Sequence, residues 1–266
     1  MLIYPDGHVI GFTNDAELFS ANLDQKRNLA SVNEAATKTF VKQPPRANLH
    51  ESNSKLFVMG TYDFYRIDSI SSVNQSTALI LSDPSFGIHG GWQQAWSNQF
   101  FSQVDFKYSQ VKMSDTSSGI LENASHDLGQ VGLSFGYIVT PRLQANLFAN
   151  YGNELYARAV NSGTATLDSV YRSQIGVSLV PDLFQHGDLD LDLELGIFQN
   201  SPQSTNLYTF DKSDGYILAP TLRKKLNKMQ MELKLNYEAI NQKSSISQQK
   251  NTQLGIEFGV SFGVGK

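Results

Sequence analysis

From Leu254 to Val264 every second residue is apolar: Leu254, Ile256, Phe258, Val260, Phe262 and Val264 alternate with glycine, Glu257 and Ser261. A period of two puts successive side chains on opposite faces and so specifies a strand. A face this uniformly apolar, opposite one of glycine and charge, fits lipid outside and a small polar lumen inside.

The same alternation recurs upstream, and from Lys55 onward the chain reads as ten strands. The first presents Val58, Gly60, Tyr62 and Phe64 on one face. The second presents Phe86, Ile88, Gly90 and Trp92, with His89 and Gln93 opposite. In the third, Val104, Phe106 and Tyr108 oppose Asp105 and Lys107, after which the phase slips to Val111 and Met113, a bulge or the end of the span. The fourth carries Val131, Leu133, Phe135, Tyr137 and Val139, the fifth Leu143, Ala145, Leu147, Ala149 and Tyr151. The sixth sets Tyr171, Ile175, Val177 and Leu179 against Arg172, Gln174 and Ser178. The seventh sets Leu189, Leu191, Leu193, Leu195 and Ile197 against Asp190, Asp192 and Glu194. Tyr216, Leu218, Pro220 and Leu222 define the eighth, where Pro220 is awkward because it cannot donate to a ladder. The ninth sets Met229, Met231, Leu233, Leu235 and Tyr237 against Gln230, Glu232, Lys234 and Asn236.

The connections also alternate. Those at Ser97-Asn98, Thr140-Pro141, Pro181 to Gly187 and Leu226-Asn227-Lys228 are short; the other five read as longer and rich in Ser, Asn, Asp and Gly. Bacterial membrane barrels keep short turns on the periplasmic side and long loops outside. Short turns after even-numbered strands therefore place both barrel ends in the periplasm. Aromatic residues then fall into two belts: Trp92, Trp96, Phe101 and Tyr137 near the periplasmic ends, and Phe64, Tyr151, Tyr171, Tyr216 and Tyr237 near the outer ends.

Residues 1–54 read as a separate extension. Leu2-Ile3-Tyr4 and His8 to Phe12 flank Pro5-Asp6-Gly7 as a small hairpin, Asn28 to Phe40 as a short helix, and Gln43 to Ser54 as an extended linker. The region reads as a tether, with a periplasmic contact element or a plug in the lumen as alternatives. The first seven residues have neither the basic nor the apolar region of a signal peptide, so export implies that a signal was removed. The formal charge of -4 leaves no electrostatic footprint for nucleic acid, and the absence of cysteine removes thiol chemistry and thiolate metal sites. No segment approaches the roughly 20 apolar residues of a membrane helix.

On these strands, residues 55–264, about four-fifths of the chain, resemble a Gram-negative outer-membrane β-barrel protein. The resemblance is to the broad class. It implies an all-β fold, a closed antiparallel transmembrane barrel of about ten strands (residues 55–266) behind a periplasmic extension (residues 1–54). It also implies outer-membrane lipids as surroundings. Such proteins commonly end in an aromatic residue, whereas this chain runs Phe262-Gly263-Val264-Gly265-Lys266. The alternative to a membrane barrel is a soluble, lipocalin-like carrier with its apolar face inward.

Asp188, Asp190, Asp192 and Glu194 form a carboxylate run on the seventh strand. Alternate strand residues lie ~6.6 Å apart, too far for all four to hold one ion. Pairing across the lumen is the better reading, since a buried charge needs a partner. Arg223 is expected near Asp188, Asp190 and Glu232, Arg172 near Glu194, and Lys234 opposite Glu257. Omptin proteases share the strand number, and His126-Asp127 with Asp211 and Asp214 would lie at the outer rim, but no omptin motif matches residue by residue. His89 reads as a hydrogen-bonded lumen residue, and His186 as a turn residue. These residues point to a non-enzymatic anchor or scaffold, without cofactor or metal, that binds an envelope protein through its extension or loops. A narrow channel and an omptin-like hydrolase are the alternatives.

Overall fold

In the computed structural model, the described residues are 2–3, 8–12 and 18–22, and from 54 onward all except 73–76, 116–119, 162–163, 206, 208, 228 and 265–266. The chain divides into two compact units, Met1–Pro45 and Arg46–Lys266. In the first, Leu2–Ile3, His8–Phe12 and Leu18–Asn22 form an antiparallel sheet, with Leu2 opposite Ile10 and His8 opposite Asn22. The helix expected over residues 28–40 and most of the linker lie outside the described residues.

The second unit is a ring of ten antiparallel strands. These are β1 (Ser54–Ser71), β2 (Thr77–Ser82 and Ser85–Ala95), β3 (Phe100–Asp115), β4 (Ser125–Thr140), β5 (Leu143–Asn161), β6 (Thr164–His186), β7 (Leu189–Asn200), β8 (Ser213–Leu226), β9 (Met229–Lys243) and β10 (Ser247–Val264). Each pairs with the next, and β10 returns to β1 along its whole length, from Ser247 opposite Ser71 to Val264 opposite Ser54. Closure leaves no sheet edge along the wall below Gly152 of β5. The expected ten-stranded closed barrel is thus the observed fold.

The connections differ from their expected lengths. Gly187-Asp188 alone turns β6 into β7, because β6 continues through Pro181 to His186; Gly187 supplies the positive φ of 59°. The β5–β6 and β9–β10 connections, expected to be long, are also short, spanning only residues 162–163 and 244–246. The residues flanking both connections are wall: the strands overshoot the apolar zone and pair nearly to their tips.

Two local irregularities follow from proline. Between Asp63–Ser85 and Arg66–Leu81, β1 advances three residues and β2 four, so β2 carries a one-residue bulge at Asp83-Pro84. The bulge exchanges the faces of β2: Phe86 and Ile88 point outward below it, and Ile80 points inward above it. On β8, Ala219 and Pro220 have no β9 partners, although pairing is in register on both sides, from Leu218–Tyr237 to Thr221–Lys234. The phase slip on β3 is not a bulge, since the β3–β4 register runs unbroken from Phe100 to Lys112. Asp105, Lys107, Val111 and Met113 share the inward face, whose chemistry changes from charged to apolar above Ser109.

Candidate functional site

The outer wall carries the first functional geometry. Along its middle, Val58, Ile88, Phe106, Val131, Leu147, Ile175, Leu195, Leu233 and Ile256 are all exposed, which for a protein in water would be an apolar patch far beyond the ordinary. Aromatic rings border this zone on both sides. Toward the loop end, Tyr151 stacks on Tyr171 with centroids 5.8 Å apart, Tyr216 lies 5.9 Å from Tyr237, and Phe64 meets Tyr62 edge-on at 5.1 Å. Toward the turn end stand Trp92, Trp96 and Tyr137, with Phe100 stacked on Phe135. Phe101, expected in this belt, instead points into the lumen at 5% exposure, because it is out of phase with Val104 and Phe106; Phe100 holds the belt position. The chain is a transmembrane β-barrel.

Inside, ion pairs fill the lumen from the turn end upward. Lys55 donates to Glu232 at 2.7 Å, Ser261 donates to the same carboxylate at 2.8 Å, and Arg223 lies 3.5 Å from it. Arg223 also pairs with Asp192. One layer higher, His89 stands between Glu257 (2.9 Å) and Asp105 (3.6 Å), while Lys107 donates to Asp63 at 3.2 Å and Glu257 at 3.3 Å. Gln253 donates to Asp63 at 2.8 Å. Across the lumen Lys234 donates to Glu194 at 3.3 Å, and Ser178 donates to the same carboxylate at 2.9 Å.

The expected pairings are therefore partly rearranged. Asp188 lies exposed in the β6–β7 turn and outside the network, because β6 ends later than its sequence implied. Asp190 lies directly opposite Arg223 in the β7–β8 register, as expected, and Asp192 forms an ion pair with the same guanidinium. Lys234 lies opposite Glu257 in the ladder, yet its ammonium reaches across to Glu194. Arg172 is not near Glu194: it donates to the backbone oxygens of Ser201 (2.6 and 2.9 Å) and Asp211 (2.9 Å), and stands 3.8 Å from Glu154. Asp63 joined the network without a signal of its own beyond strand phase, while His89, Asp105 and Lys107 were placed on the lumen side but not connected.

Above the charged layers the chain itself packs across the mouth. β5 leaves β4 after Gly152, the last residue paired with it, and the Asn153 side chain takes over. It accepts from the Gly129 amide at 2.6 Å and donates to the Asp127 carbonyl at 2.7 Å. Beyond this point the β5–β6 hairpin packs on both faces. Leu155, Ala157, Ala165 and Leu167 form one cluster with Ile67, Ile80, Val111 and Met113 of β1–β3. On the opposite face, Tyr156 and Val170 pack against Phe210, with Tyr156 and Phe210 edge-to-face at 4.6 Å and the Arg172 guanidinium 5.4 Å above Phe210. The β3–β4 connection adds a short parallel strand, Ile120–Glu122, along Thr164–Thr166. Sequence reasoning missed this apolar cap; its signal was the shift of apolar residues to the lumen phase at Val111 and Met113.

The histidine–carboxylate groups considered for catalysis do not assemble among the described residues. Asp127 accepts from Tyr108 (3.0 Å) and Gln110 (3.3 Å), Asp214 accepts from Gln199 (3.0 Å), and Asp211 engages Arg172 through its backbone. Nε2 of His126 is buried without a hydrogen-bond partner there, and the His186 ring stacks on Phe184 at 6.1 Å.

No family model matches the chain, and no curated protein matches it. Similar solved structures include the outer membrane protease OmpT from Escherichia coli, at 10% identity, covering 80% of this chain and 97% of that one with a TM-score of 0.47. The β domain of the Bordetella autotransporter BrkA is 10% identical over 79% and 99% of the two chains, TM-score 0.43. An outer membrane channel from Pseudomonas putida F1 is 11% identical over 77% and 95%, TM-score 0.44. The activities in those descriptions belong to those proteins.

Proposed function

We propose that this chain is a bacterial outer-membrane anchor, a closed and non-conducting barrel that presents its extension or loops to an envelope protein partner. The orientation in this reading has the short turns and both barrel ends, and so residues 1–54, in the periplasm. One observation carries the proposal: cross-strand ion pairs span the lumen, and the apolar β5–β6 hairpin packs against β1–β3 above them. A ten-stranded ring is only slightly wider than the eight-stranded kind whose side chains fill it. Here Lys107, His89, Lys234 and Arg223 occupy that space with their carboxylate partners, and separating those pairs to admit a solute would cost several kcal/mol per unpaired ion. No catalytic step is assigned, since the rim carboxylates are engaged by Tyr108, Gln110 and Gln199.

The test is planar-bilayer recording of the purified full chain. The barrel is expected to insert and stay silent. Stable steps that shift in size with Asp190→Asn or Arg223→Gln would replace the anchor with a narrow channel. Peptide hydrolysis abolished by His126→Ala would replace it with a hydrolase.

A further inference from the structure

Above the loop-end aromatic belt, β2, β1, β10 and β9 line a concavity of about 610 Å³, mostly with outward residues and in part with Ser69, Ala78, Gln242 and Gln249 between them. Its character differs from the apolar wall below. Lys250 and Lys243 lie on its rim, and Asn241 opposite Lys250 in the ladder puts the two lysines on a diagonal of one face, ~7–8 Å apart at the backbone. Neither makes an ion pair among the described residues. The one carboxylate in the concavity, Asp68, is held by Arg66 through two hydrogen bonds of 2.8 and 2.9 Å, so its charge is matched from outside. The floor is not polar throughout: Leu79 lines it, and Ile70 is 49% exposed within it.

Position decides what these groups face. Phe64 of the belt lies opposite Leu254, the outward pair above is Arg66–Thr252, and the next is Asp68–Lys250. At ~3.3 Å per residue and a strand tilt of ~35–45°, Lys250 stands ~10 Å and Lys243 ~15 Å above the Phe64 level, so that their long side chains reach back toward the outer margin of the headgroup zone. An apolar track of Phe86, Leu81 and Leu79 on β2 leads up to them from the lipid-facing wall. Cations in a cleft continuous with acyl-chain surface are complementary to one occupant, a lipid with an anionic headgroup. We propose that this concavity is a binding site for the phosphorylated headgroup of a lipid in the surrounding leaflet, with Lys243 and Lys250 as the phosphate-binding pair. The inference rests on the membrane placement of the barrel and adds a specific lipid contact to it.

Native mass spectrometry of the full chain in detergent, with diphosphorylated lipid A added against phosphatidylcholine, tests it. Lipid A is expected to remain bound where phosphatidylcholine is lost, and inorganic phosphate alone not to bind. Each basic residue near an anionic surface contributes ~1 kcal/mol, so Lys243→Gln or Lys250→Gln should weaken binding about fivefold. Lys243→Arg and Lys250→Arg should preserve it. Lys224→Gln, which removes the same charge at the turn end, should leave it unchanged. Equal retention of the two lipids, or equal weakening by Lys224→Gln, would overturn the site. Failure of the membrane reading itself would appear separately, as a chain that does not enter phosphatidylcholine vesicles or shift its gel mobility on boiling.

Discussion

The amide of Ala157 donates to Oε1 of Gln249 at 3.0 Å, joining β5 to β10 across the mouth of the barrel. The contact exists because β5 has lost its β4 partner above Gly152, and a buried backbone group without a partner costs about 1–3 kcal/mol. The same glutamine donates to the Leu155 carbonyl at 3.2 Å, and Asn251 donates to that carbonyl at 2.8 Å. Two side chains of β10 thus stand in for a missing strand.

Replacing Gln249 by leucine keeps the volume and removes its hydrogen bonds to the β5 backbone. The expected cost is ~1–3 kcal/mol, confined to the hairpin. Limited trypsin digestion should cut faster after Arg158 while the boiled and unboiled forms still differ in gel mobility. A cleavage rate equal to that of the unaltered chain would show that the hairpin does not depend on this contact.

Glu232 is a lumen carboxylate contacted by Lys55, Arg223 and Ser261. Glu232→Ala leaves Lys55 without its carboxylate in the lumen, while Arg223 keeps Asp192, and is expected to destabilise the barrel by ~3–5 kcal/mol. The readout is the guanidinium midpoint of the detergent-folded protein. Glu232→Ala with Lys55→Met should recover part of the loss, because one orphaned charge is removed with its partner.

Gly136 makes room for the ring of Phe101, which a Cβ at that position would overlap. Gly136→Ala is expected to lower stability by ~1–3 kcal/mol through overpacking. Adding Phe101→Leu should restore most of it. If Phe101 lay in the outer belt instead, the two changes would simply add, and the unfolding midpoint of the double variant would fall further.

The chain contains no cysteine, so a single introduced thiol reports its side of the membrane. Ser245→Cys, in the β9–β10 connection, should react with an impermeant maleimide on intact cells. Asp188→Cys, in the β6–β7 turn, should react only after the outer membrane is opened. The reverse pattern would invert the proposed orientation and move residues 1–54 to the cell surface.

The wall of the barrel was legible because it depends on local phase. Leu254 to Val264, or Met229 to Tyr237, carries its two-residue period whatever its neighbours do, and closure only required enough such strands. Phe101 shows how strictly the phase applies: adjacent to Phe100, it faces the other way. Connection lengths were less legible, since the β5–β6 and β9–β10 strands extend through residues whose composition is that of loops.

Sequence alone thus determined ten strands and which residues share a face, because alternation is a property of consecutive residues; that the apolar face is the outer one is seen in the closed ring. Only the tertiary structure decided which charges meet. Lys234 lies opposite Glu257 in the ladder but pairs with Glu194 across the lumen, since long side chains reach over an interior whose width no single strand encodes. It also decided that Leu155, Ala157, Ala165 and Leu167, on a hairpin that sequence would leave as wall and loop, bury themselves over the mouth. Their burial depends on Ile67, Ile80, Val111 and Met113 from three other strands, and a contact of that kind comes into being only when the ring has closed.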